Sequence, residues 1–249
     1  MGLHSYFQKK NIPFGSVMSK VWNKKVFKNI QEKVDAASKS LAEERGACPD
    51  AEEYGIKERF SNKTAIAPTA SISIICGGSS PGIEPIAANS YTHKTLSGSF
   101  NVRNKYLKKI LSKYKKDTDD VWSSITTNQG SVSHLDFLTA EEKDTFKTAF
   151  EIDQRWIVEL GADRTPHISQ AQSINIFIPA DIHKKDLHNL HFQAWKKGLK
   201  SLYYCRSKSI QRAENVNKGT STDVTKNVYS QGQESNNESN NYEECLSCQ

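Results

Sequence analysis

Eight apolar residues, Val17, Val21, Trp22, Val26, Ile30, Val34, Ala37 and Leu41, recur close to the helical period, roughly 3.6 residues per turn, over one unbroken stretch. Ser16 stands where an N-cap is needed and Gly46 where a helix stops, so the spacing predicts one long amphipathic helix from Ser16 to about Gly46. A stripe of that length requires a partner surface, which ties the fold to a layered packing of helix on another element. The following segment from Thr64 to Cys76, TAIAPTASISIIC, is rich in β-branched residues and ends in the loop Gly77-Gly78-Ser79-Ser80-Pro81-Gly82. Pro68 lacks the N–H that a central strand would use, so a break is expected near it. Thr139-Ala140-Glu141-Glu142 has capping-box spacing and predicts a helix running to about Leu160. Ser173–Ile178 reads as a short buried strand. Asp181 is expected to cap a helix with Leu187, Leu190, His191, Ala194 and Trp195 on its apolar side and Gly198 at its end. Leu199–Arg206 reads as a last strand. This alternation indicates an α/β fold with crossover connections.

The remaining chain is of another kind. From Asn215 to Glu243 it is mostly Asn, Ser, Gln, Thr, Lys, Glu and Gly, a composition that buries too little apolar surface to offset chain entropy. Residues 1–214 are therefore expected to form the folded body and 215–249 a flexible tail with a reach of roughly 30 Å. The net charge of +6 divides unevenly: two lysines against five acids leave the tail at −3, hence the body at +9. A basic body suits an anionic ligand or partner, but no Lys/Arg run with interleaved aromatics marks a nucleic-acid groove. No run of 18 apolar residues indicates a membrane span, and five cysteines, widely spaced except for the last pair, fit a reducing compartment, so a cytoplasmic location is expected. Two of those cysteines, Cys245 and Cys248, close the tail as a Cys-x-x-Cys pair. Such a pair can form and exchange a disulfide, or supply half the ligands of a metal site.

Two further stretches bear chemistry. Pro68-Thr69-Ala70-Ser71-Ile72-Ser73 is small and hydroxyl-rich, a turn able to present backbone N–H groups to a phosphate, although the same residues are ordinary strand composition. Tyr203 and Tyr204 are adjacent, and neighbouring strand residues point to opposite faces. Only a bend would let the two rings stack and pass an electron and a proton between them; otherwise they are packing residues.

Together these landmarks are similar to a known family. Ala67-Pro68-Thr69-Ala70-Ser71, then Ser80-Pro81-Gly82-Ile83-Glu84-Pro85, then Tyr91-Thr92-His93-Lys94-Thr95-Leu96-Ser97-Gly98 occur in the order found in the large (α) subunit of class I ribonucleotide reductase. The likeness continues through Gln172-Ser173-Ile174-Asn175, His191-Phe192, Trp195-Lys196-Lys197-Gly198-Leu199-Lys200 and Tyr203-Tyr204 to Cys245 and Cys248, with phage or bacterial wording. The resemblance implies the C-terminal part of that family's ten-stranded α/β barrel, followed by a disordered tail.

It also implies roles. Thr69, Ala70, Ser71 and Ile72 would hold the diphosphate of a ribonucleoside diphosphate, Ile72 through its N–H alone. Tyr204 would receive an oxidising equivalent from the small (β) subunit and Tyr203 would pass it to a catalytic cysteine. Cys245 and Cys248 would reduce the active-site disulfide and be reduced in turn by thioredoxin or glutaredoxin. The family's thiyl-radical cysteine, its disulfide pair and its ATP/dNTP effector sites belong to parts that this sequence does not contain, and the diferric-tyrosyl cofactor to the small subunit. No metal site is expected on this chain. Cys205 is expected to be a buried thiol. A subunit naturally split in two is expected, with an N-terminal large-subunit polypeptide as partner and the apolar stripe of residues 16–46 packed against it. The competing expectation is a non-catalytic module that binds the small subunit.

Overall fold

Among the described residues, 1–95 and 98–207 of a computed structural model, helices dominate and the strands are short. In chain order they are α1 (Leu3–Lys9), α2 (Val17–Arg45), α3 (Pro49–Glu53), α4 (Ala70–Ile75), β1 (Ser90–Thr95), β2 (Gly98–Arg103), α5 (Lys105–Lys113), α6 (Asp119–Thr127), α7 (Ala140–Thr145), α8 (Gln154–Arg164), β3 (Ile176–Ile178), α9 (Lys184–Lys196) and β4 (Cys205–Ser207). Local chemistry sets most boundaries. The Ser16 hydroxyl accepts from Ser19 N–H while the Ser19 hydroxyl accepts from Ser16 N–H, a reciprocal cap opening α2. Thr139 and Glu142 do the same for α7, and Asn104, Thr118 and Asp153 cap α5, α6 and α8.

The functional framework is a set of parallel strand segments. β3 and β4 pair in parallel across the crossover helix α9, as the alternating pattern predicts. The segment before β3 pairs on its other side with residues 64–66: a parallel bridge joins Ile66 to Gln172, with Ile66 N–H donating to Ala171 O (3.2 Å) and Ser173 N–H to Ile66 O (2.9 Å). All three residues of β3 are buried, so both of its faces are covered. Val158 of α8 and Leu190 and Ala194 of α9 bury Ile176 and Ile178, while Ile157 and Leu160 meet Ile174 and Phe177 with α1 and the Ile12–Phe14 turn. Between the first and second strand segments the chain inserts α4, an antiparallel β1–β2 hairpin, and a helical lobe with its own core of Leu107, Leu111, Trp122, Ile125, Val132 and Phe146.

The lobe is fastened to the body through Asn89. Its amide donates to Gly130 O (3.0 Å) and Phe146 O (2.6 Å), its N–H also donates to Gly130 O, and its Oδ1 accepts from Asn104. Nearby, His4 is fully enclosed, accepts Ile86 N–H at Nδ1 (3.0 Å), and burial lowers its pKa to about 3, so the ring is neutral.

α2 has the predicted bounds; Trp22 and Phe27 pack on the body's core, and the helix otherwise meets the body through its polar side. Its buried positions are Ser19, Asn23, Ser38 and Ala42, and it docks through polar contacts. Asn23 donates to Leu160 O (2.9 Å), Lys20 and Lys24 pair with Glu159 and Asp163, and Gln31 meets His167. The buried Arg164, whose pKa is pushed down to about 9 yet which stays cationic at neutral pH, reaches Asn23 Oδ1 and Gln172 Oε1. Much of the apolar stripe faces outward: Val17 is 72 % exposed and Val21 53 %. Val26, Phe27 and Ile30 line a groove of about 550 Å³ with Leu3, Ile66 and Ile83.

Several expectations need correcting. The helix from Thr139 to Leu160 is two helices, α7 and α8, because Glu151 ties the N–H and hydroxyl of Thr148 into a local turn and Asp153 starts the second helix afresh. Beyond Pro68 the β-branched run becomes α4 rather than more strand. His183 caps α9 instead of Asp181, accepting Lys185 N–H at Nδ1. Trp195 is 72 % exposed rather than packed. Of the expected strand Leu199–Arg206, only its end belongs to β4. No helix among the described residues is long and apolar enough to cross a membrane. Cys245 and Cys248 lie outside the described residues.

Candidate functional site

Pro68 ends the first strand segment, and Thr69 (φ −134°) becomes the residue before α4. The N–H groups of Ala70, Ser71 and Ile72 meet no acceptor among the described residues, whereas Ser73 N–H closes the helix onto Thr69 O (2.9 Å). The turn therefore offers three converging donors beside the exposed hydroxyl of Ser71. The Thr69 hydroxyl is turned inward, accepting Gly82 N–H (2.8 Å) from the Ser80–Pro85 loop. Of the four residues expected at this site, Ile72 can contribute only its backbone, since its side chain is half exposed and apolar.

The tyrosine pair lies at the start of β4. In a regular parallel ladder one residue spans the gap between accepting and donating bonds. Here Tyr203 N–H donates to Ile174 O (2.8 Å) while Tyr204 O accepts Ile176 N–H (2.9 Å), so two residues oppose Asn175. This is a bulge, and it re-aims the side chains. The two rings lie against each other, tilted rather than stacked, with centroids 4.0 Å apart and planes at 50°. The bend that makes a relay geometrically possible is present. Arg206 extends over the Tyr204 ring (5.8 Å).

The extra residue leaves Tyr204 N–H without a ladder acceptor, and the Asn175 side chain provides one through Oδ1 (3.2 Å). Asn175 Nδ2 in turn donates to Glu84 Oε1 (2.7 Å). Glu84 is buried, its Oε2 meets no donor at hydrogen-bond geometry among the described residues, and burial pushes its pKa up against the opposing pull of Asn175, nearby N–H groups and Arg206. In the sequence Glu84 stands out only as part of the Ser80–Pro85 motif. The available signal was a single carboxylate in the otherwise uncharged stretch Ser80–Pro85.

Cys205 corrects another expectation. Following the bulge on an edge of the sheet, it is exposed, with Sγ 4.0 Å from His191 Nε2 and its thiol pKa raised by partial desolvation. No group of three or more potential metal ligands occurs among the described residues.

The chain's relatives agree with this architecture. Residues 49–205 match the family described as "Ribonucleotide reductase, barrel domain". The chain is 47 % identical over 220 residues to the ribonucleoside-diphosphate reductase large subunit of Invertebrate iridescent virus 6, covering 87 % of this chain and 23 % of that protein. It is 44 % identical over 225 residues to that of Invertebrate iridescent virus 3, covering 89 % and 35 %. The fold resembles the Actinobacillus ureae class Id ribonucleotide reductase alpha subunit, with a TM-score of 0.78 and 38 % identity over 88 % of this chain and 39 % of that one. The chain thus spans about a quarter to a third of the length of these viral relatives.

Proposed function

Because the chain belongs to the ribonucleotide reductase barrel-domain family, we propose that it is the part of a class I large subunit that holds a ribonucleoside diphosphate by its phosphates and delivers an oxidising equivalent to it. The contacting pair Tyr203–Tyr204 carries this reading, because a bulge backed by two buried polar side chains is more than a packed strand requires. Tyr204 is oxidised from the side of the small subunit, whose diferric-tyrosyl cofactor supplies the equivalent, and Tyr203 relays it inward with loss of its phenolic proton. The N–H groups of Thr69, Ala70, Ser71 and Ile72 and the Ser71 hydroxyl receive the diphosphate where anions are favoured.

The thiyl-radical cysteine, the disulfide it works with and the ATP/dNTP sites come from the rest of the large subunit, carried on this or a separate N-terminal polypeptide. The groove between α2 and the first strand segment, floored by Leu3, Phe27, Ile66 and Ile83, is an apolar surface suited to packing against that part. The tail cysteines Cys245 and Cys248 then return electrons from thioredoxin or glutaredoxin to the disulfide. A non-catalytic module that merely binds the small subunit would have no use for the contacting tyrosine pair.

The test is turnover. Assembled with the remainder of a class I large subunit and with a small subunit, the protein is expected to convert ribonucleoside diphosphates to deoxyribonucleoside diphosphates. A stoichiometric complex that forms no deoxynucleotide would overturn the reading.

A further inference from the structure

Glu84 is a buried carboxyl that the relay and the phosphate turn do not use directly, yet its loop touches both. Gly82 N–H is fastened to Thr69 at the phosphate turn (2.8 Å), and two residues later the Glu84 carboxyl is fastened to Asn175 (2.7 Å) beneath the tyrosines. Gly82 permits this course. Its φ is +51°, and a Cβ there would come within 3.1 Å of Glu84 Oε2.

Asn175 must orient one way for the bulge to close. Its Oδ1 has to face Tyr204 N–H, since the reverse orientation would set two donors against each other. Only an acceptor on the far side fixes that choice, and Glu84 Oε1 is the acceptor present. We infer that Glu84 is a positioning residue for the Tyr203–Tyr204 pair: its carboxyl locks the Asn175 side chain, which holds the bulge that brings the rings into contact, from a loop that also braces the phosphate turn. Two cations, Arg206 from β4 and Arg164 from α8, act on this carboxyl and favour its anion; burial opposes them and favours the neutral acid. Glutamine at this position reproduces the neutral acceptor, whereas leucine fills the space without one.

This inference rests on the proposed radical relay for its catalytic consequence but not for its geometry, so two measurements are needed. In the full chain, amide hydrogen exchange followed by NMR should show Tyr204 N–H protected in the wild type. Protection should survive in Glu84→Gln and fall by roughly tenfold or more in Glu84→Leu and Asn175→Ala, a change that local opening free energies make readable. Should Glu84→Leu not fold, Glu84→Asp, one methylene short of Asn175, carries the same expectation. In the assembled reductase, Glu84→Gln should stay within about threefold of wild-type kcat. Glu84→Leu should lose roughly tenfold or more in kcat with the KM for ribonucleoside diphosphate nearly unchanged.

Unaltered Tyr204 protection in Glu84→Leu overturns the inference. So does lost protection with unchanged kcat, or kcat and KM worsening together as in general loosening of the fold. If the wild-type assembly itself forms no deoxynucleotide, the proposed function fails, and the exchange experiment alone decides whether Glu84 sets the pair.

Discussion

Tyr203→Phe in the assembled reductase is expected to bring turnover to background while ribonucleoside diphosphate binding stays at the wild-type level. Phenylalanine keeps the ring that lies against Tyr204 at 4.0 Å, and the backbone bond from residue 203 to Ile174 O is untouched, so the bulge should persist. What disappears is the phenolic O–H, and with it the ability to give up an electron and a proton together. The phosphate turn lies on α4, in a different part of the chain, and has no reason to respond. Steady-state turnover and equilibrium nucleotide binding, measured side by side, check the split. Substantial turnover by the variant would remove Tyr203 from the relay. A loss of binding as large as the loss of turnover would make it a structural residue.

Gly130→Ala should be the most damaging of the small substitutions to stability. Gly130 has φ +80°, and a Cβ there would lie 2.3 Å from Ala88 Cβ, 2.6 Å from Ala88 Cα and 2.9 Å from Asn89 N. Two of those atoms are backbone and cannot swing aside. The same stretch carries the Asn89 bonds to Gly130 and Phe146 that fasten the helical lobe to the body, so any shift weakens them as well. A loss of about 3 kcal/mol or more is expected from strain and broken hydrogen bonds together. For a domain of this size that corresponds to roughly 6–12 °C in Tm. Gly2→Ala is the internal control: φ +88° and ψ 0° are left-handed but nothing lies within 4 Å of the added Cβ, so only the left-handed penalty of about 1 kcal/mol applies. Equal melting shifts for the two variants would show that the Ala88 contact is not rigid.

What the sequence discloses, and what it conceals, follows from range. Capping is local chemistry, so the start of α2 at Ser16, its stop at Gly46, the Thr139–Glu142 box and the break at Pro68 are legible from neighbours alone. The β3–α9–β4 crossover is likewise legible, because a strand–helix–strand order allows parallel pairing. The orientation of α2 is not. Periodicity shows that one face is apolar but not what covers it, and here Asn23, Lys20 and Gln31 turn the polar face onto α8 and His167. The β1–β2 hairpin escaped for another reason. Its strands are mostly Ser, Thr, His, Lys and Asn, and the apolar alternation is confined to Phe100 and Val102, too short a run to mark a half-buried sheet.

The site divides the same way. The family motifs locate Thr69–Ile72 and Tyr203–Tyr204, but the bulge depends on an asparagine and a glutamate 91 residues apart in sequence. Nothing in Tyr-Tyr itself says that the two rings share a side. The answer lies in Asn175 accepting the N–H that the ladder cannot.

Tyr203 is the proposed route of the oxidising equivalent to the substrate. The most direct measurement places 3-aminotyrosine, which is easier to oxidise, at position 203 of the assembled reductase. The enzyme is then mixed with small subunit and ribonucleoside diphosphate and followed by electron paramagnetic resonance. An aminotyrosyl radical growing in as the small-subunit radical decays is the predicted result. Turnover that proceeds with no radical ever appearing at position 203 would contradict it.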